Sequence, residues 1–193
     1  MKWYWVITSS NSVDDPLVTD SDNFAGRESL LVLGRPFPQP QEPLCLTASQ
    51  QRNDGTPDDA LQNHLALPII SARLQITMRA ANIRGVEFVP LELRRPDGTR
   101  IDGYSILNVL HRREGLNRRK SDFDVFPEDY VLPQRRGMVR ALRRPVLTSQ
   151  CLSGTDLLRL DEYPFQLFAS ERLQGMFEKA GFTGWSFREV EVA

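Results

Sequence analysis

Two histidines, two cysteines and several adjacent carboxylate pairs are the residues of this 193-residue chain whose types could do chemistry. His64 sits in Asn63-His64-Leu65 ahead of an apolar stretch, and His111 stands beside Arg112 and Arg113. Neither has a second ligand at metal spacing, and the cations at 112 and 113 oppose a bound metal ion. No H-E-x-x-H, G-x-S-x-G elbow or glycine-rich phosphate loop occurs. Gly26-Arg27-Glu28-Ser29 lacks the second glycine of an esterase turn. Asp20-Ser21-Asp22-Asn23 begins like a calcium loop but puts Phe24 and Ala25 where a ligand and the glycine belong. Asp14-Asp15, Asp58-Asp59 and Glu128-Asp129 lie in turn-rich segments. General acid–base work instead needs two carboxyls presented into a cleft with separated pKa values. Cys45 and Cys151 fall outside any C-x-x-C spacing and read as reduced, small hydrophobes. The chain therefore reads as non-catalytic, with no catalytic residue, no cofactor and no metal.

What remains is charge. Residues 1–70 carry four basic against nine acidic groups, net −5, whereas residues 84–144 carry fourteen against nine, net +5. Such polarity speaks to partners and not to fold. It singles out two candidate partner-binding sets: the acidic turn with Asp54, Asp58 and Asp59, and the arginine-rich stretch with Arg112, Arg113, Arg118, Arg119 and Lys120. Acidic residues interrupt the basic clusters and the whole chain is near neutral, unlike a phosphate-tracking surface. Nucleic acid is thus not the expected partner. A small enzyme or nucleic-acid-associated regulator using the arginine-rich middle is the alternative reading. The longest apolar run near the start, Trp3–Ile7, is too short for a membrane span or a signal-peptide core. A cytoplasmic location without a membrane partner is expected. Nothing in the sequence fixes the oligomeric state.

The elements that must position these groups are clearest where one pattern occurs twice, 99 residues apart. SARLQITMRAANIRGVEFVPLEL (71–93) and SERLQGMFEKAGFTGWSFREVEV (170–192) share eight of 23 positions. In each copy a serine precedes a helix as its N-cap. Leu74, Met78 and Ala81, like Leu173, Phe177 and Ala180, recur at i, i+4 and i+7 as one apolar stripe. Asn82 and Gly181 suit the left-handed conformation that ends a helix. Gly85 or Gly184 then leads into a strand. Pro96-Asp97-Gly98-Thr99 predicts a turn joining antiparallel strands over 86–93 and 101–110. Further strands are expected at Lys2–Thr8, Leu44–Leu46, Leu157–Leu160 and Phe165–Phe168, with weaker ones at Met138–Leu142 and Val146–Leu147. Four prolines make 35–43 extended, and 115–124 reads as a loop or brief helical turn. The fold class predicted is α+β, a mostly antiparallel sheet with a few packed helices and two similar helix–turn–strand units. Residues 1–60 are expected as a strand-and-loop region packed on a main domain, 61–193.

The order LPIISARLQ…GVEFVPLEL, YSILNVL, KSDF and FASERL…AGFTGWSF resembles the Myxococcus-type immunity proteins of bacterial polymorphic toxin systems. The matching residues are Ser71, Gly85, Phe88, Pro90, Asn108, Ser121, Ser170, Leu173, Gly184 and Phe187, over roughly residues 60–190. The resemblance implies a protector that binds a cognate toxin protein and brings no catalytic residues with it. Where many relatives have an acidic residue ahead of the serine, this chain has Asn117-Arg118-Arg119-Lys120-Ser121.

Overall fold

Both repeated segments fold the same way, and their shared residues explain why. The computed structural model describes residues 1–8, 18–21, 24, 27–38, 40–48, 57–63 and 65–193. In chain order its strands are β1 (Trp3–Thr8), β2 (Val18–Ser21), β3 (Leu44–Ala48), β4 (Ala60–Leu61), β5 (Ile69–Ser71), β6 (Val86–Arg94), β7 (Arg100–Ile101) and β8 (Tyr104–Val109). There follow β9 (Arg112–Arg113), β10 (Asp122–Val125), β11 (Val139–Arg144), β12 (Val146–Leu147), β13 (Leu157–Leu160), β14 (Leu167–Ser170) and β15 (Trp185–Val192). Helix α1 (Glu28–Val32) lies between β2 and β3, α2 (Ala72–Ala80) follows β5, and α3 (Glu171–Lys179) follows β14.

Ser71 and Ser170 cap α2 and α3, their hydroxyls accepting from the Leu74 and Leu173 amides. Leu74, Met78, Leu173 and Phe177 are buried at 2% exposure or less. The stripe stops there, because Ala81 is half-buried and Ala180 exposed. Asn82 and Gly181 end the helices with φ of 53° and 62°. The strand before each helix and the strand after it flank a common third strand. In one half this gives β5–β8–β6, in the other β14–β1–β15. The likeness runs on outward: β3 and β12 lie parallel to β6 and β15, and β4 and β13 lie antiparallel to β5 and β14. Five strands of each half thus share one order and polarity, with β1 in the place that β8 holds in the first half.

The halves are also tied together by the arginine that both copies share. Arg73 donates to Asp59 and to the Ala180 and Gly181 carbonyls at the end of α3. Arg172 donates to Asp156 and to the Ala81 carbonyl at the end of α2. Each helix is therefore capped at its C-terminus by the guanidinium of the other, where positive charge is favourable. A shared apolar core (Val6, Leu74, Met78, Val109, Leu173, Phe177, Trp185) fills the space between them. A second cluster packs Phe24, Leu31 and Phe37 against the β3–β6–β8 sheet, and a third packs Trp3, Leu158 and Phe168 beneath β10 and β11.

These sheets correct the expected α+β class. Among the described residues strands make up 39% and helices, 3-10 turns included, 18%, so the structure is mostly β, with three sheets. Two of them are mixed, because β3·β6, β12·β15 and β9·β13 run parallel. The physical reason is that these pairs join segments far apart in sequence, which turn lengths do not reveal. Strands as short as β4, β9 and β12 also show too few residues for alternation to register. Residues 115–124, read as a loop or turn, contribute β10. The acidic stretch 9–23 contributes β2; its residues 9–17, 22 and 23 lie outside the described residues, as do His64 and Asp54.

Candidate functional site

The arginine-rich segment folds as a two-stranded ribbon, β10 with β11, apart from the two larger sheets. Register shifts after Asp122 and Asp124 kink it, and Phe126 continues the pairing beyond its strands, donating to the Met138 carbonyl and accepting from the Gly137 amide, each at 2.9 Å. One face is anchored: Val139 and Leu142 are buried and Phe123 packs beside them on the third core. The far end is not. Val125, Val131, Leu132 and Met138 are exposed at 37–78%, four of the eight large apolar side chains on the described surface. Arg135 lies over the Phe126 ring and Arg136 donates to the Tyr130 carbonyl, stiffening the loop that carries them.

Around this apolar tip the arginines divide into engaged and presented ones. Arg143 bridges Asp122 and Asp124, each at 2.6 Å, and so consumes the carboxylates of the ribbon. Hydrogen bonds from Arg143 hold both carboxyls below the usual carboxylate range and push the guanidinium pKa further up. Arg112 pairs with Asp161 at 2.6 Å, and Arg113 sits with it on β9 along β13. The turn 117–120 is shaped by Asn117, whose side-chain oxygen accepts from the Arg119 and Lys120 amides. Ser121, the family-motif serine, accepts from the Val146 amide and fastens that turn to β12. Arg118 lies 5.0 Å from the Phe123 ring, Arg119 is exposed, and Lys120 reaches Glu191 at 3.7 Å. Arg118 also borders a cleft of about 420 Å³ beside the ribbon, with Glu114, Arg136, Met138, Asp161 and Glu162.

The acidic candidates are placed differently. Asp58 and Asp59 are buried at 7% exposure. Asp59 accepts from Ser71 Oγ at 2.6 Å, from Arg73 at 2.5 Å and from the Thr183 amide at 3.1 Å. Burial pushes its carboxyl up, but the hydrogen bonds from Arg73, Ser71 and Thr183 outweigh that and hold it below the ordinary range. Its oxygens are thus occupied within the chain. The same holds across the duplication, where Asp156 accepts from Ser170 and Arg172.

His111 assembles no reactive cluster among the described residues. His111 meets Thr155 at 2.6 Å, and burial together with Arg113 keeps its pKa below the usual value. No group of three or more His, Cys, Asp or Glu able to hold a metal occurs among the described residues. Cys45 is half-buried and Cys151 buried, each a thiol. No helix is long and apolar enough to cross a membrane among the described residues.

The Imm11 immunity protein family model matches residues 3–192, nearly the whole chain. The chain belongs to the Imm11 immunity protein family. No curated protein matches it. The match places β1 and the segment up to residue 60 inside the family unit as well, although motif resemblance begins near residue 60. In this Imm11 member several of the motif residues have structural roles. Asn108 is buried and donates to the Arg35 carbonyl and Glu87, Ser71 and Ser170 cap helices, and Gly184 closes against the Ala60 carbonyl. Sequence reasoning missed the exposed apolar tip at 125–138. Its signal, Val131-Leu132 set between charged residues, is too short to show a period.

Proposed function

We propose that this Imm11 protein acts in the cytoplasm, without catalysis, by binding a cognate secreted toxin and covering its active site. The β10–β11 ribbon and the 117–120 turn are the docking surface, and the toxin groove they enter is acidic. The observation that carries this reading is the exposure of Val125, Val131, Leu132 and Met138 along the ribbon and its loop, with Arg135 and Arg136 on that loop and Arg118 and Arg136 lining one cleft with Met138. Apolar anchors surrounded by arginine are what tight protein interfaces use, since arginine forks pair with carboxylates while the anchors exclude water. The engagement of Asp59 within the fold weighs against the acidic set as the contact. The carboxylates interleaved among the arginines weigh against nucleic acid.

The test is co-purification with a candidate cognate toxin, followed by binding measurements on Arg118→Glu/Arg119→Glu at two salt concentrations. Steering charges act mainly on association, so the on-rate should fall at least about tenfold at low salt and less at high salt. Unchanged rates and unchanged protection of cells would make this turn a solvated face.

A further inference from the structure

Arg159 stands apart from every arginine considered so far. It lies on β13, is 0% exposed, and has no carboxylate partner among the described residues. Its Nη1 donates to the Pro164 carbonyl, while Nε and Nη2 have no hydrogen-bond partner among the described residues. Those two nitrogens form one edge of the guanidinium fork, the edge that a carboxylate meets with two parallel hydrogen bonds. A buried cation left half-satisfied is destabilising. Burial, and to a lesser degree Arg112, lower its pKa to about 10, which leaves it charged at neutral pH.

The residue borders a cleft of about 230 Å³ between the two halves and is the one charged residue among the described residues that line it. The walls come from corresponding segments of the duplication. Gln62 follows Asp59 by three residues as Arg159 follows Asp156, and Ala66–Pro68 corresponds to Phe165–Leu167 at the 99-residue spacing. Val6, Leu67 and Leu167 give apolar walls. Thr8, Gln62 and Gln166 supply polar groups, and Gln166 is fixed by the Trp5 indole at 2.6 Å. One wall is pinned as well: Asn63 accepts from the Leu65 and Leu67 amides and donates to the Leu67 carbonyl. Phe165, 48% exposed, stands on the turn whose Pro164 carbonyl caps the guanidinium.

We propose that this cleft is a binding site for a carboxylate on a short aliphatic chain, anchored by the Nε and Nη2 edge of Arg159 and admitted by outward movement of the 163–166 turn. One guanidinium edge and apolar walls select a carboxylate on a few methylenes over a phosphate, which needs more donors. The carboxylate comes either from a free small acid or from a glutamate side chain. The site shares no residue with the ribbon and does not depend on its role.

The test is a titration of the full chain, followed by 15N chemical shifts, with sodium acetate, sodium butyrate and a capped Gly-Glu-Gly peptide at constant ionic strength. Expected are saturable shifts at the Arg159 Nε–H and the amides of Gln62, Asn63, Phe165 and Gln166. The thermal midpoint should rise by about 5 °C at a hundredfold excess over Kd, and Arg159→Met should abolish the rise. Saturation by acetate or butyrate identifies free small acids as the source, and saturation by the peptide alone identifies a side chain. Shifts no larger than sodium chloride gives, shifts centred elsewhere, or a rise that survives in Arg159→Met would overturn the proposal. Should Arg159→Met not fold, the response of the wild-type Arg159 Nε–H decides.

Discussion

Asp59 and Asp156 each hold a serine hydroxyl and an arginine from the helix that follows them. Asp59→Ala leaves Ser71 and the Thr183 amide without their acceptor, and should destabilise by about 1–3 kcal/mol in urea unfolding. The pH dependence has a definite sign. A carboxyl whose folded pKa lies below its unfolded value gives stability present above the unfolded value and lost as pH falls through the folded one. Stability should therefore decline on acidification below about pH 4, and Asp59→Asn should lessen that decline, as read from urea midpoints between pH 5 and 2. Gly184 is a second single-residue test. Its φ is 91°, and a Cβ there would collide with the Ala60 carbonyl. Gly184→Ala should lower stability by more than about 1 kcal/mol, whereas Gly98→Ala, equally left-handed but open around the Cβ position, should suffer only the backbone term. The turn glycines and capping serines could be read from sequence because their chemistry is local. The partners of Arg73 and Arg172 could not, since each reaches about a hundred residues along the chain.

At the scale of elements, α2 and α3 bury Leu74 and Phe177, and Leu74→Ala or Phe177→Ala should cost about 2–5 kcal/mol by denaturant unfolding. Phe177 stacks on Trp185 at 5.5 Å and meets Phe182 and Phe187 edge-on or tilted, so its loss should fall near the upper end. The helices were legible because a 3.6-residue stripe recurs with caps on either side. The ribbon was only half legible. Val139 and Leu142 gave a weak strand, but its partner Asp122–Val125 is only four residues long and continues the basic, polar run from 115, so its alternation is too short to register. Arg143 is seen to bridge Asp122 and Asp124 only in the fold. The candidate surface suffered likewise. Charge pointed to Arg118, Arg119 and Lys120, while the apolar tip beside them emerges only when the β10–β11 pairing brings 125 and 138 together.

For the whole molecule, the sheets have one order in both halves, yet β1 comes from the chain start and fills the centre of its sheet between β14 and β15. Trp3 and Val6 are buried at 4% exposure or less and belong to two different cores. Removing residues 1–8 should therefore abolish cooperative unfolding of the second half, as followed by tryptophan fluorescence. Parallel pairing and the circularly displaced role of β1 were invisible in the sequence, because no local spacing encodes which distant strand lies beside which. The central claim is that the ribbon face, and not the sheets behind it, is what the toxin meets. Hydrogen–deuterium exchange of the protein alone and with its cognate toxin tests this most directly. The account predicts slowed exchange over 117–144, with little change at α2, α3 and the residues around Asp59. Protection confined to those elements, with residues 117–144 exchanging as in the free protein, would contradict it.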